Sequence, residues 1–288
     1  VAGENRQNSC RGCLIHRALC RITSTVQKRI QNFSTMIGVF DSGLGGLSVL
    51  AALVDALPQA DFIYFADTAH VPYGNKSDMQ IQARVLTIGS HLVEAGCKLL
   101  VVACNTATAT AVEALRQAHP GIPVVGVEPG IKPAAQTSVS RRIAVLTTEA
   151  TAKSARLAHL IRIHAADVEV FIEPCPGWAT KVEQLNLDDP ALINDVRQRV
   201  QPLLDQGVDR LVLGCTHYSF LAPHLRALAG THATLVDVAE AVARQTRRLA
   251  GSLSQGHGKL LLEASAHPEK LHAALDRLHL SRLATRVV

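Results

Sequence analysis

Short apolar runs rich in branched residues alternate with longer stretches of helical periodicity from Met36 nearly to the C-terminus. That alternation restricts the chain to an α/β fold with largely parallel sheet, because each strand is separated from the next by a helix that can cover a sheet face. Strands are predicted at 37–40, 62–65, 99–103, 124–127, 143–146, 168–172, 211–213 and 234–236. Helices are predicted at 47–56, 79–95, 108–119, 153–163, 191–206, 239–251 and 271–280, several ended by breaks such as Leu57-Pro58 and His119-Pro120-Gly121. A chain of 288 residues is long for one compact domain and comfortable for two.

A weak internal duplication organises these elements. Ile37-Gly-Val-Phe-Asp41-Ser42 is echoed by Ile143-Ala-Val-Leu-Thr147-Thr148, and Leu99-Leu-Val-Val-Ala-Cys104-Asn105-Thr106 by Leu211-Val-Leu-Gly-Cys215-Thr216-His217. The offsets, 106 residues from Ile37 to Ile143 and 111 from Cys104 to Cys215, imply two similar α/β lobes related by pseudo-twofold symmetry. The expected division assigns 36–131 and 235–288 to the first lobe and 132–234 to the second. Ligands of open α/β sheets bind beyond the carboxyl ends of strands, so each lobe would offer one cysteine to a shared cleft.

The formal charge, 29 − 24 = +5, is concentrated at the start: Arg6, Arg11, Arg17, Arg21, Lys28 and Arg29 stand against Glu4 alone, 6 − 1 = 5. The remainder is balanced and poor in aromatics, which argues against a nucleic-acid partner and for a small molecule. No apolar run is long enough to span a bilayer, and the first residues lack the apolar core of a secretory signal, so no membrane partner and a cytoplasmic location are expected. Seven cysteines in no disulfide pattern read as reduced thiols. Residues 1–35 are expected to be a disordered extension, read through ahead of a start at Met36, although their Arg-rich composition also imitates a transit peptide. Cys10, Cys13, His16 and Cys20 are zinc-ligand types in a single short cluster without paired spacing, so no metal is assigned.

Cys104 and Cys215 each follow an apolar strand and precede polar residues that start helices. A helix N-terminus supplies free N–H groups and positive potential, which should lower a thiol pKa from about 8.5 and favour thiolate. The same N–H groups, with Ser42, Asn105, Thr106 and Thr216, would hold carboxylates. Two opposed thiols suit cofactor-free inversion of an α-carbon, one taking a proton from one face while the other supplies a proton to the opposite face. Asp41 and His217 are the neighbouring groups that would set the thiol protonation states. Plainer readings stand beside these: Cys97 and Cys175 as packing, Asp41 as a helix cap, the glycines of Gly43-Leu-Gly-Gly46 as a phosphate-binding turn, and His217 as a satisfied interior histidine.

Five segments in order carry a family resemblance. They are Ile37-Gly-Val-Phe-Asp41-Ser42-Gly-Leu-Gly-Gly46-Leu, Tyr64-Phe-Ala-Asp67-Thr with Val71-Pro72-Tyr73-Gly74, Val102-Ala-Cys104-Asn105-Thr106-Ala-Thr, Gly126-Val-Glu-Pro-Gly130, and Leu213-Gly-Cys215-Thr216-His217-Tyr218. Together they resemble the glutamate racemases of the aspartate/glutamate racemase family. The resemblance implies interconversion of L- and D-glutamate for peptidoglycan synthesis in a bacterial cytoplasm, with no pyridoxal phosphate or other cofactor, no metal, and a homodimer. It implies catalysis by Cys104 and Cys215, the first taking the proton from D-glutamate and the second from L-glutamate, with Asp41 and His217 assisting. Implied substrate contacts are Asp41, Ser42, Pro72, Tyr73, Gly74, Asn105, Thr106, Thr148, Thr216 and His217. Three positions depart from the usual pattern: His70 for arginine, Thr147 for glycine, and Val238 for serine. The rival readings are an aspartate racemase, a hydrolase with Cys215 as nucleophile, and a two-lobed binding protein in which the cysteines only pack.

Overall fold

The computed structural model describes residues 36–288. The extension at 1–35, with Cys10, Cys13, His16 and Cys20, lies outside the described residues.

Nine strands are described: β1 (Met36–Asp41), β2 (Phe62–Ala66), β3 (Cys97–Val102), β4 (Val124–Gly126), β5 (Arg142–Thr147), β6 (Glu169–Pro174), β7 (Arg210–Leu213), β8 (Thr234–Val236) and β9 (Leu260–Ala264). They form two wholly parallel sheets, ordered β4-β3-β1-β2-β9 and β6-β5-β7-β8. Read backwards, the second order is β8-β7-β5-β6, the same path as β4-β3-β1-β2. The repeat seen in the sequence is therefore a repeat of topology, with β1 equivalent to β5 and β3 to β7. The β9 strand has no counterpart in the second sheet.

The helices are α1 (Leu47–Ala56), α2 (Asp78–Glu94), α3 (Asn105–Ala118), α4 (Ile131–Thr137), α5 (Glu149–Ala152), α6 (Ala155–His164), α7 (Trp178–Glu183), α8 (Pro190–Asp205), α9 (Ala222–Ala229), α10 (Ala239–Ala250), α11 (Pro268–Arg277) and α12 (Ser281–Ala284). Local chemistry sets their ends. Ser77 and Gln80 close a reciprocal capping box on α2, and Asp189 caps α8, whose first residue is proline. The helix expected at 153–163 is α6, which the Ser154 cap starts at Ala155, and a short helix not expected from the sequence, α5, precedes it behind the Thr148 cap. The helix expected at 108 starts at Asn105 because the Cys104 sulfur accepts the Ala107 N–H at 3.5 Å.

The core of the first lobe gathers Ile37, Val39, Leu50, Phe62 and Leu99 with Val242, Ala243, Leu271 and Leu275, so the chain returns to this lobe after the second sheet. The return expected at 235 falls inside β8. Leu235 and Val236 pair with Leu211 and Val212, which moves the crossing to after Val236. Among the described residues no helix is long and apolar enough to cross a membrane.

Candidate active site

Both catalytic candidates stand just past the carboxyl ends of equivalent central strands, Cys104 after β3 and Cys215 after β7. Both are buried, and they lie close enough for charge on Cys215 to raise the pKa of Cys104. Cys97 and Cys175 are also buried. Cys97 packs between β1 and α2 under Gly38, and the Cys175 thiol donates to the Glu173 carbonyl at 3.4 Å in the second core.

On the Cys104 side, the thiol donates to Ser42 Oγ at 3.7 Å. Ser42 Oγ in turn donates to Asp41 Oδ1 at 3.3 Å, an oxygen that also accepts the Gly43 N–H at 2.7 Å. Thr216 of the other lobe donates to Asp41 Oδ2 at 3.0 Å. Burial raises the Asp41 pKa, opposed by the charge of His217 and the Gly43 hydrogen bond. The expectation that the helix N-terminus would lower the Cys104 pKa is overturned. Burial pushes this thiol well up and the Asp41 charge adds to it, and these outweigh the hydrogen bonds from Ala107 and to Ser42.

On the Cys215 side, His217 Nδ1 lies 3.7 Å from the sulfur and Nε2 lies 2.6 Å from Glu183 Oε1. Burial disfavours the imidazolium, but hydrogen bonds to Cys215 and Glu183 and the charges of both overcome it, holding the His217 pKa well above its ordinary value. The helix expected directly after Cys215 is a 3-10 segment, Thr216–Leu221, which leads into α9. Glu183, at the end of α7, was not legible as a site residue. It is 34 positions from His217, in a short helix with no periodic signal, and only the fold joins them. That helix is fixed by Trp178, which stacks edge-on with Tyr218 at 5.1 Å and donates to Asp195 at 2.7 Å.

The glycine-rich turn is explained by contact between the lobes. A Cβ on Gly43 would fall 2.1 Å from Glu183 Oε1, and one on Gly45 would fall 2.4 Å from His217 Nδ1. Leu44 N–H donates to the same Glu183 oxygen at 2.6 Å. Glycine is needed here so that the second lobe can approach the backbone.

Of the remaining candidates, Thr106 and Thr148 meet across the lobes at 3.1 Å, and Thr151, a third hydroxyl not singled out from the sequence, bonds both, at 3.2 and 3.1 Å. The side-chain amide oxygen Oδ1 of Asn105 is buried without a hydrogen-bond partner. Pro72, after a cis Val71–Pro72 bond, precedes the 3-10 turn Tyr73–Asn75, and Gly74 packs against Thr148. A cleft of about 620 Å³ lined by Gly74, Lys76, Thr110, Glu149 and Lys153 opens beside these residues. Among the described residues no cluster of His, Cys, Asp and Glu is arranged to hold a metal.

Residues 37–246 match the Asp/Glu/Hydantoin racemase family. The chain is 48% identical over 215 residues to the glutamate racemase of Ectopseudomonas mendocina, covering 75% of this chain and 82% of that protein. Crystal structures with the same fold include glutamate racemase isoform RacE1 of Bacillus anthracis, at 30% identity and TM-score 0.77, covering 85% of this chain and 93% of the other. Glutamate racemase of Escherichia coli in complex with L-glutamate and the activator UDP-MurNAc-ala aligns at 32% identity and TM-score 0.73, covering 85% and 94%. The chain therefore belongs to the Asp/Glu/Hydantoin racemase family and, within it, to the glutamate racemases, which are isomerases.

Proposed function

We propose that the protein interconverts L- and D-glutamate by a two-base reaction at Cys104 and Cys215, with no cofactor, and supplies D-glutamate for peptidoglycan. The observation that carries this reading is the placement of two buried thiols at equivalent strand ends of two repeated sheets, within electrostatic reach of each other. The relatives named above are glutamate racemases, which favours glutamate over aspartate.

In the L-to-D direction Cys215, as thiolate, takes the α-proton and Cys104, as thiol, delivers a proton to the opposite face. In the reverse direction the roles exchange. The resting electrostatics suit the first direction, since Cys104 is held as a thiol and the imidazolium of His217 faces the sulfur of Cys215. Asp41 and His217 assist the thiols. Ser42, Pro72, Tyr73, Gly74, Asn105, Thr106, Thr148, Thr216 and His217 contact the substrate, with Asn105 and the threonine hydroxyls offering polar atoms to its charged groups. The working protein is a cytoplasmic homodimer.

Circular dichroism of purified protein with D- or L-glutamate, beside D- and L-aspartate and without added cofactor, tests the reading. Inversion of glutamate alone is expected, and faster inversion of aspartate would overturn the substrate. The Cys215–His217–Glu183 line would also serve a thiol hydrolase, which leaves Cys104 idle. A hydrolase acylates one cysteine, whereas a racemase exchanges the substrate α-hydrogen with deuterated solvent and forms no adduct.

A further inference from the structure

Asp67, in the turn after β2, is a fully buried carboxylate that makes no hydrogen bond to either thiol. Arg84 on α2 grips it with two parallel bonds, Nε to Oδ2 and Nη2 to Oδ1, both 2.9 Å. Tyr73 Oη donates to Oδ2 at 2.6 Å, His70 Nδ1 faces Oδ1 at 3.0 Å, and the Asp67 N–H donates to the Asp41 carbonyl at 3.0 Å. Burial would raise the Asp67 pKa, but hydrogen bonds from Arg84 and Tyr73 hold it below the usual carboxylate range. The Tyr73 ring is itself buried, and the next residue, Gly74, packs on Thr148 of the second lobe.

We propose that Arg84 is a positioning residue for glutamate: through Asp67 and Tyr73 it fixes the Pro72–Gly74 loop. A fork-shaped guanidinium sets both the charge and the orientation of the carboxylate it meets. Without it, the buried Asp67 must take up a proton or move towards water, and in either case the acceptor that holds Tyr73 changes. The loop offers no acid or base to the α-carbon. Its displacement weakens substrate and transition state alike, and the loss falls on KM rather than kcat.

This inference rests on the reading of the site as glutamate-binding, so turnover of the parent protein is measured first. An inactive parent overturns that reading, and an active parent decides this one. In Arg84→Gln, KM for glutamate should rise about tenfold with kcat within about threefold. Asp67→Asn should behave alike, and the double variant should be no worse than the poorer single, because an amide needs no counter-charge. Arg84→Lys, which keeps the charge but not the fork, should fall between parent and Arg84→Gln. If Arg84→Gln does not fold, Arg84→Lys carries the test alone and its KM must still rise. An unchanged KM in a folded variant, or additive losses in the double variant, would overturn the proposal.

Discussion

The two thiol-bearing strand ends share a backbone plan but differ in chemistry. Cys104 caps a 14-residue α-helix, receives the Ala107 N–H and sits beside a carboxylate reached through Ser42. Cys215 heads a 3-10 segment and meets an imidazole tied to a second carboxylate. The same sheet topology thus delivers one sulfur towards Asp41 and the other towards a cation, and only two or three nearby side chains make the difference. Duplication supplies the equivalent strand-end positions, and local substitution supplies the different polar neighbours around each sulfur.

Loss of either sulfur is expected to be the most damaging change to the site. Cys104→Ser and Cys215→Ser should each lower kcat at least about 1000-fold by circular dichroism, since a serine hydroxyl cannot serve as base at neutral pH. A variant keeping a tenth of parental turnover would show that one thiol suffices. His217→Asn should lower kcat by about 10- to 100-fold, with the larger primary isotope effect on α-deuterated L-glutamate, because the imidazole touches only the sulfur assigned to that enantiomer. Equal effects on both enantiomers would dissolve the distinction. Gly45→Ala places a methyl against His217 Nδ1 and should cost about 1–3 kcal/mol of stability, read as a lower thermal midpoint, with reduced turnover.

The smallest expected effect is on pH dependence. The folded pKa of His217 is raised, so its stabilising contribution is complete below the unfolded value of 6.5 and is lost as pH rises through the higher folded value. The raised pKa of Asp41 acts in the same sense from 3.8 upward. The thermal midpoint should therefore fall on the alkaline side, and His217→Asn should flatten that fall.

Much of the molecule could be read from the chain. The eight strands expected from β-branched runs all formed, because each is short, apolar and bracketed by turn residues. The ninth, Leu260–Ala264, was missed since Leu260-Leu-Leu-Glu263 has neither alternation nor β-branched residues, and only its pairing with β2 makes it a strand. The placement of both cysteines at equivalent strand ends was legible because the repeat pairs them. The glycines of 43–46 were visible, but not their reason, which is an atom of Glu183 or His217 contributed by chain far away in sequence. For the same cause Glu183 and Arg84 were silent: each acts through a partner that no local pattern announces. The Cys104 pKa was misjudged because helix-end potential can be read locally, whereas desolvation depends on everything packed around the sulfur.

One oxygen, Glu183 Oε1, is shared by a backbone amide at Leu44 and the ring of His217. A carboxylate divided in this way is fully paired only where the glycine turn meets the Trp178–Glu183 helix, so any substitution that widens that contact leaves a partly buried acceptor in need of another donor.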